Sequence, residues 1–339
     1  MTPDGAGPGA RPGRLGRVGK VVGAVAPPVL LAVLGLPALL LTLLRALQPD
    51  TTLAVEAVAL TPVALPLYAA MLLVCGAALV RGRRRVLELI LTPVALGGVL
   101  VHVWWLGPLA LGEVPPPVAG STPVVVMIAA DLGPQVDPAV VVAEVAALDV
   151  DVLAVSETDV DTLARLDAAG LATALPYRAG APGPGSLVLS RTPLREVAAP
   201  ATTFPSVVVD AAGLRVLALH AAPPSDVAAW RGDLEAARAA AQAEDVDLVL
   251  GNANATIDHD PLRALVAAGW RDAAELGNAG LQPTWPAHDG LGPWPFPAVA
   301  LDHIMVGERA TVTEVETLDV PGSEHLAVVA AISPRSPGR

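Results

Sequence analysis

Three long apolar runs without a charged residue dominate the first third of the sequence. They extend over Val21–Leu44, Ala57–Val80 and Ile90–Leu111. Each run exceeds the ~20 residues that a helix needs to cross a bilayer, and a soluble core has no ready place for three of them in succession. A cleaved signal peptide would account for the first run only. The runs therefore predict three transmembrane helices within residues 21–112.

Basic residues near the ends of these runs predict their orientation. The loop between the first two runs is acidic at both ends, with only Arg45 nearby, whereas basic residues precede the first run and separate the second from the third. Under the positive-inside rule both basic segments lie in the cytoplasm. We expect a multi-pass protein of the cell membrane, with a cytoplasmic tail at 1–20 and everything after Leu111 outside. The basic residues are Arg11, Arg14, Arg17, Lys20, Arg81, Arg83, Arg84 and Arg85.

Charge and cysteine content exclude some classes of function. From Glu113 onward the chain carries 12 Arg against 29 Asp plus Glu, a net charge of −17, while the first 112 residues carry +5. A strongly acidic domain repels a polyanion, so long nucleic acid is an unlikely partner. A single cysteine, Cys75, excludes a disulfide within one chain and a cysteine-based metal site.

The part after the third run alternates between strand-like and helix-like segments. Residues 113–123 read as a proline-rich linker, residues 124–333 as one domain, and residues 334–339 as a tail. Asp137-Pro138 and Asp260-Pro261 each predict a capped helix start, and Asp226–Ala243 predicts a longer helix. Short β-branched runs intervene, which is typical of a layered α/β domain. The predicted strands are Val124–Ala130, Val152–Ser156, Ser186–Ser190, Ser206–Asp210, Arg215–His220, Asp247–Gly251, Leu301–Val306 and Ala327–Ile332.

Polar residues cluster where these strands stop. One such carboxylate is usually a turn residue or a helix cap, and one such histidine is usually a structural group, but six strand ends with this chemistry predict a site. Carboxylates with water and substrate phosphate are the ligands of hard cations such as Mg2+, and a histidine paired with a carboxylate is a general base near neutral pH. The residues are Asp131, Glu157, His220, Asn252, Asn254, Asp302, His303, Glu324 and His325.

The motifs occur in the order of a known family. The segments VMIAAD, DVLAVSE, LVLSRTPL, VLALH, GNANATIDHDPLR, PTWP, ALDHI and PGSEH resemble, in sequence, those of the endonuclease/exonuclease/phosphatase superfamily, which includes pancreatic deoxyribonuclease, bacterial sphingomyelinase and inositol polyphosphate 5-phosphatases. The resemblance covers nearly all of residues 124–333. It implies a four-layer α/β sandwich, two packed mixed sheets flanked by helices, preceded here by the three transmembrane helices.

The resemblance also implies roles for individual residues. Glu157 resembles the family's metal ligand, and Asp131 and Glu324 stand close to the metal in the family's arrangement, with Mg2+ or Mn2+ as the cofactor. His220 resembles the histidine that contacts the scissile phosphate. Asn252 and Asn254 match the motif that contacts metal and phosphate, while Asp302 and His325 resemble its Asp-His pair.

Three positions depart from the family pattern. Asp131 stands where the family has Asn, Asn252 where it has Asp, and Glu324 where it has Asp. The change at 252 bears most on catalysis, because Asn cannot carry a negative charge.

We therefore expect a membrane-tethered, divalent-metal-dependent phosphoesterase, acting outside the cytoplasmic membrane on a phosphorylated small molecule or lipid. The alternative is a catalytically inactive relative that acts as a binding or sensing domain. A third possibility is a protein of membrane assembly only.

Overall fold

The computed structural model describes residues 14–81, 86–288 and 297–336. It contains two compact units, Met1–Thr42 with Val63–His102, and Leu43–Pro62 with Val103–Arg339. The predicted cytoplasmic tail up to residue 13, the end of the C-terminal tail at 337–339, and the predicted basic residues Arg11, Arg83, Arg84 and Arg85 lie outside the described residues.

Among the described residues, three helices are long and apolar enough to cross a membrane: Pro28–Leu47, Thr61–Val80 and Val86–Leu106. The second begins at Thr61 rather than at Ala57 as predicted, because a separate short helix ends at Val58 before it. The third ends at Leu106 rather than Leu111, where Gly107 and Pro108 interrupt the apolar run. The helices of this region are α1 (Arg14–Leu47), α2 (Thr52–Val58), α3 (Ala64–Val80), α4 (Val86–Leu106) and α5 (Pro108–Leu111), with the 3-10 turn at Thr61–Val63.

The second unit contains two six-stranded mixed sheets within its described residues. Their strand orders are β11-β12-β1-β2-β4-β3 and β5-β6-β7-β8-β10-β9. The strands are β1 (Val124–Ala130), β2 (Val152–Thr158), β3 (Tyr177–Gly180), β4 (Gly183–Ser190), β5 (Arg195–Ala198), β6 (Val207–Ala211), β7 (Leu214–His220), β8 (Leu248–Asn252), β9 (Arg271–Asp272), β10 (Asp302–Val306), β11 (Ala310–Leu318) and β12 (Ala327–Pro334). All eight predicted strands exist, with ends that shift by up to three residues.

Alternating side chains pack the two sheets together. Val126 and Ile128 of β1 share one buried cluster with Val216 of β7 and Leu248 and Leu250 of β8, as a period of two along each strand requires. The remaining faces of the sheets are covered by helices, so the predicted four-layer α/β sandwich is confirmed. These helices are α6 (Pro138–Ala147), α7 (Val160–Ala169), α8 (Leu171–Ala174), α9 (Val227–Ala243) and α10 (Asp260–Ala267), whereas α11 (Ala273–Leu276) packs into the cluster between the sheets.

Local sequence explains where most of these helices begin. The Asp137 side chain accepts a hydrogen bond from Ala139 N, with proline at the first helical position. The Asp226 side chain accepts one from Ala229 N and caps α9. The prediction for α10 is wrong in one detail, because His259 rather than Asp260 is the N-cap residue and makes no side-chain cap bond.

Strand register brings the polar strand ends together. His220 is paired with Asn252 across the parallel strands β7 and β8, and Asn252 is paired with Asp302 across the antiparallel strands β8 and β10. A glycine is required just before Asn252: Gly251 has φ +139°, and a Cβ there would lie 1.9 Å from Leu219 O. The glycine thus allows β7 and β8 to approach closely at the site.

Candidate active site

A cleft of about 400 Å³ opens at these strand ends. Five of the eight residues to which the family resemblance assigns a role line it, and they come from both sheets and from the loop before β12. Its volume is in the range of small-ligand sites. The lining residues are Glu157, Asp159, Gly183, Pro184, Phe204, His220, Pro223, Asn252, Asn254 and His325.

Asp302 does not line the cleft, but it is hydrogen-bonded to His325, which does. His325 Nδ1 donates a hydrogen bond to Asp302 Oδ2 at 2.7 Å, and both side chains are less than a tenth exposed. Burial alone lowers the pKa of His325, but the charge and hydrogen bond of Asp302, with smaller effects of Glu157 and Asp131, raise it overall. The pairing fixes the ring so that Nε2 is its free nitrogen, as a general base requires.

His220 bridges the two sheets. Its Nδ1 lies 2.5 Å from Pro184 O, and its Nε2 lies 3.1 Å from Glu157 Oε1. The hydrogen bond from His220 lowers the pKa of Glu157, against the opposing effect of burial. Glu157 is therefore a carboxylate at neutral pH, and its side chain is 42% exposed to the cleft.

Asn252 and Asn254 form a local turn at the end of β8. Asn252 Oδ1 accepts a hydrogen bond from Asn254 N at 2.8 Å, and Asn254 Nδ2 donates one to Ala221 O at 2.9 Å. An asparagine can accept the first bond as well as an aspartate can. The substitution at 252 therefore preserves the turn and removes only the charge.

Asp131 and Glu324 lie beside the cleft without lining it. Asp131 Oδ2 accepts a hydrogen bond from Glu324 N at 3.3 Å, and the Glu324 side chain is exposed. Burial raises the pKa of Asp131, and repulsion from Glu157 and Glu324 raises it further. Three carboxylates therefore stand close enough to repel one another, and a cation would relieve that repulsion.

Three of the predicted site residues share a left-handed backbone conformation. Asp131, Glu157 and Asn254 have φ values of +50°, +54° and +47°. A side chain in this left-handed region costs ~1 kcal/mol or more, and such residues concentrate at functional sites. Asp131 directly follows β1, Asn254 lies two residues after β8, and Glu157 lies at a register shift near the end of β2.

Several cleft residues were not predicted from the sequence. Phe204 stacks on His220 with ring centroids 4.7 Å apart and an interplanar angle of 17°. Together with Pro184 and Pro223 it gives the cleft an apolar rim. The chain holds only two phenylalanines, and that rarity was the one signal available. Asp159 lines the cleft as the N-cap of α7, where it accepts a hydrogen bond from Thr162 N.

Comparison with known proteins assigns the fold. Residues 129–325 match the sequence model of the Endonuclease/Exonuclease/phosphatase family, and the chain belongs to this family. The family's members are hydrolases of the phosphatase and nuclease type, so this chain has a phosphoesterase-type fold. No curated protein matches the sequence.

Solved structures show the same fold at low sequence identity. D. rerio TDP2 complexed with single strand DNA product is 13% identical, with a TM-score of 0.50 over 63% of this chain and 100% of that one. An endonuclease/exonuclease/phosphatase family protein of Bacteroides thetaiotaomicron is 15% identical, with a TM-score of 0.47 over 63% and 99% of the two chains. The mannosyl-6-phosphatase Bt3783 of that organism is 15% identical, with a TM-score of 0.46 over 62% and 99%.

Proposed function

We propose that this protein is a membrane-tethered phosphoesterase, which hydrolyses a small or lipid-linked phosphoester outside the cytoplasmic membrane with Mg2+ or Mn2+ as its cofactor. The observation that carries the proposal is the cleft in which Glu157, His220 and His325 converge, with Asp302 hydrogen-bonded behind His325. This arrangement holds a general base beside carboxylate and amide oxygens, which is the chemistry that hydrolysis of a phosphoester needs.

The donor atoms fit a hard cation with an incomplete protein shell. No three His, Cys, Asp or Glu side chains among the described residues converge closely enough to hold an ion by themselves. Mg2+ is commonly bound by one or two carboxylates, with waters and substrate phosphate completing the shell. Glu157 and Asp131 are the residues that would hold it, with Glu324 and the two asparagines nearby. The cation, when bound, supplies neutralisation of the charge that develops on the phosphate.

The chain's own residues supply proton handling and orientation. His325 takes a proton from the attacking water at Nε2, and the Asp302 carboxylate stabilises the imidazolium that forms. Asn254, held by its bond to Ala221 O, presents its side chain at the cleft wall to a phosphate oxygen. His220 Nε2, which contacts Glu157 Oε1, donates instead to an oxygen of the phosphate when the substrate is bound.

The cleft surface favours a substrate with little charge beyond the reacting phosphate. No lysine or arginine is among the described residues that line it, and residues 289–296, which lie outside the description, contain neither in their sequence. A polyanion needs such side chains to offset its repulsion by the domain's net negative charge. The rim of Phe204, Pro184 and Pro223 offers an apolar surface to an aryl, sugar or lipid group next to the phosphate.

Two features support the location. The loop that joins the first two apolar helices contacts the domain that follows the third, so both lie on one side of any membrane those helices cross. The basic residues lie at the other ends of the helices, which the positive-inside rule assigns to the cytoplasm. A fusion of alkaline phosphatase after Arg339 should therefore be active, and a cytoplasm-only fluorescent protein there should be dark. Bright fluorescence with no phosphatase signal would contradict the location.

The activity test uses the full chain in detergent with a chromogenic phosphodiester and a chromogenic phosphomonoester. We expect turnover that needs Mn2+ or Mg2+ and stops with chelator. His325→Gln is the inactive comparison, and Glu196→Gln, an exposed acid on β5, is the matched control. A rate that is the same for wild type and His325→Gln means that the turnover is a contaminant, and the proposal fails.

One observation favours a second function, that of an inactive binding or sensing domain. Asn252 is 1% exposed and lies between His220 and Asp302 in the sheet register, where a charged residue would face the reacting group. If neither ester is hydrolysed but inorganic phosphate with Mn2+ shifts the thermal midpoint, the binding role is correct.

A further inference from the structure

The segment between the first two apolar helices is built into the second unit. This docking segment, Arg45–Leu60, contains α2, and Val55 and Val58 on it are only 3% and 1% exposed. Val55 belongs to the same buried cluster as Trp230 of α9 and Leu262 of α10. Fully burying a valine contributes about 1.5 kcal/mol or more, so the segment is packed against the domain as part of its core.

His259 connects the docking segment to the turn that carries the two asparagines. Thr256 N donates to His259 Nδ1 at 2.9 Å, so this nitrogen is the acceptor, and Nε2 donates to Val55 O at 2.9 Å. One proton satisfies both contacts, so the ring is neutral. Burial agrees with this, because it lowers the pKa of His259 to about 4.

Charged and polar contacts reinforce the connection one residue away. Arg45 Nε donates to Asp258 Oδ1 at 2.5 Å, and the two side chains are only 11% and 1% exposed. Gln48 Nε2 donates to Asp258 O at 2.9 Å, and Gln48 Oε1 accepts from Asp260 N at 3.1 Å. The end of the first apolar helix is thus fastened directly to residues 258–260.

The same turn is held from the other side by the sheet. His303 Nε2 donates to Ala255 O at 2.9 Å, while its Nδ1 donates to Asp272 Oδ2 at 2.6 Å. Residues 252–260 are here called the asparagine loop. Within this loop, Ala255 is hydrogen-bonded to His303 of the sheet, and His259 is hydrogen-bonded to the docking segment. In the same loop Asn254 keeps a φ of +47°, a conformation that persists only when its surroundings over-determine it.

We propose that the docking segment positions the catalytic asparagine loop, so that the junction of the first two apolar helices is a working part of the active site. His259 and Asp258 are positioning residues: neither lines the cleft, and both act through Asn252 and Asn254. This rests on the proposed function for its kinetic consequence only. Separation of residues 113–339 from the docking segment would remove Val55 from its buried position on the domain. The asparagine loop would then keep its contact with His303 at Ala255 but lose its contact with Val55 at His259.

The test uses the full chain in detergent and substitutes one contact at a time. His259→Phe keeps an aromatic ring beside Trp230 and loses both hydrogen bonds, while His259→Gln keeps an amide donor for Val55 O. Glu196→Gln is the control, since Glu196 is exposed on β5 and lies outside both the docking segment and the cleft. We expect His259→Phe to lower kcat about tenfold or more, the scale of a small misplacement of a catalytic group, with KM and Mn2+ affinity nearly unchanged. His259→Gln should recover most of the rate, and Glu196→Gln should match wild type.

Hydrogen exchange gives a readout that needs no activity. Ala253 N donates to Leu301 O and Asn254 N donates to Asn252 Oδ1, and His259→Phe leaves both acceptors in place. Their exchange should nevertheless become faster in His259→Phe, because the loop is held at one end only. Unchanged exchange there, or an unchanged kcat, overturns the proposal. If wild type shows no turnover, the proposed function fails, and exchange alone decides the positioning role. If His259→Phe does not fold, Asp258→Asn, which weakens the ion pair with Arg45, decides it by the same two measurements.

Discussion

His325 Nδ1 and Asp302 Oδ2 are joined by a 2.7 Å hydrogen bond between two buried side chains. Asp302 Oδ1, the other oxygen, is buried without a hydrogen-bond partner among the described residues. A buried carboxylate with one oxygen unsatisfied is costly, and the carboxylate is retained beside a histidine that faces the cleft. The pair is therefore better explained by proton transfer than by stability.

Asp302→Asn should lower kcat by ~10²-fold or more, because the imidazolium formed in the reaction loses its counter-charge. The pH profile should also move. Asp302 is what raises the pKa of His325 against burial, so its removal lowers that pKa and shifts the corresponding limb of kcat/KM to lower pH. Steady-state kinetics across the pH range measures both effects. An unshifted limb would assign that limb to a group other than His325.

Metal binding is the second prediction. Glu157→Gln removes the charge of an exposed cleft carboxylate and should weaken Mn2+ binding by about tenfold or more, the scale of losing a charged ligand, while the rate falls to background. Calorimetric titration of Mn2+ into the full chain measures it, with Glu196→Gln as the control at an exposed site remote from the cleft. If wild type and Glu157→Gln bind Mn2+ with equal affinity, Glu157 is not a metal ligand, and its role is to form the hydrogen bond with His220.

The third prediction concerns the apolar rim. Phe204→Ala removes the ring that stacks on His220, and such ring contacts contribute about 1 kcal/mol. KM for an aryl phosphoester should rise by about fivefold, while KM for a methyl phosphoester should change little. Tyr177→Ala, at an exposed aromatic residue that does not line the cleft, is the control.

Plasmid DNA should be a poor substrate for wild type and for these variants at 150 mM salt, where charges are screened over about 8 Å. Rapid degradation of the plasmid would contradict the proposed substrate class.

The pattern of short β-branched runs bounded by turn residues predicted a layered α/β domain and eight of the strand positions, whereas the four-layer arrangement was implied by the resemblance to the family. Five side chains of the cleft were also predicted. A single carboxylate, asparagine or histidine at a strand end usually has a structural role, but several strand ends that all carry such residues indicate a site. Phe204 could not be predicted, because its role depends on contact with His220 across a loop that no local pattern defines. The contact of Val55 with the domain could not be predicted either, because the two residues that make it, Val55 and His259, are 204 positions apart in the sequence.

His303 and His259 illustrate the same limit in one motif each. Both rings are buried, and each ring nitrogen has a hydrogen-bond partner. No motif indicates that His259 contacts the segment between two apolar helices, because that contact is made to a backbone carbonyl, Val55 O. Backbone acceptors carry no residue-type signature, so such contacts emerge only from the structure.

The fourth prediction is a dependence of stability on pH. Burial lowers the pKa of His259 from 6.5 to about 4. As pH falls from 6.5 to 4, His259 takes up a proton in the unfolded chain but not in the folded protein. Its contribution to the free energy of unfolding is therefore fully present above pH 6.5 and is lost as the pH falls towards 4. The full effect is about 3 kcal/mol. The gap in thermal midpoint between wild type and His259→Gln should therefore narrow across this window, and a constant gap would mean that the folded ring accepts the proton.

The last prediction concerns Asp131 and Asn252, which exchange the residue types of the family pattern. If the centre needs one carboxylate on that side, Asp131 supplies the charge that Asn252 lacks. Asp131 is close enough to Glu157 and Glu324 for their repulsion to raise its pKa, whereas Asn252 lines the cleft and accepts from Asn254 N. The two positions then share one centre, and their effects should be strongly non-additive.

Asp131→Asn alone should cost ~10²-fold or more in rate, because it removes that charge. Asn252→Asp alone adds a carboxylate next to others and should raise one pKa by repulsion, which lowers activity at neutral pH. The double exchange keeps the total charge of wild type and restores the family arrangement, so activity should return with nearly unchanged Mn2+ affinity. A full set of kcat values for the four proteins closes this cycle. If wild type is inactive and only the double exchange turns over substrate, the domain has lost catalysis through Asn252, and the binding function is the correct one; if Asp131→Asn leaves an active wild type untouched, the two positions do not compensate.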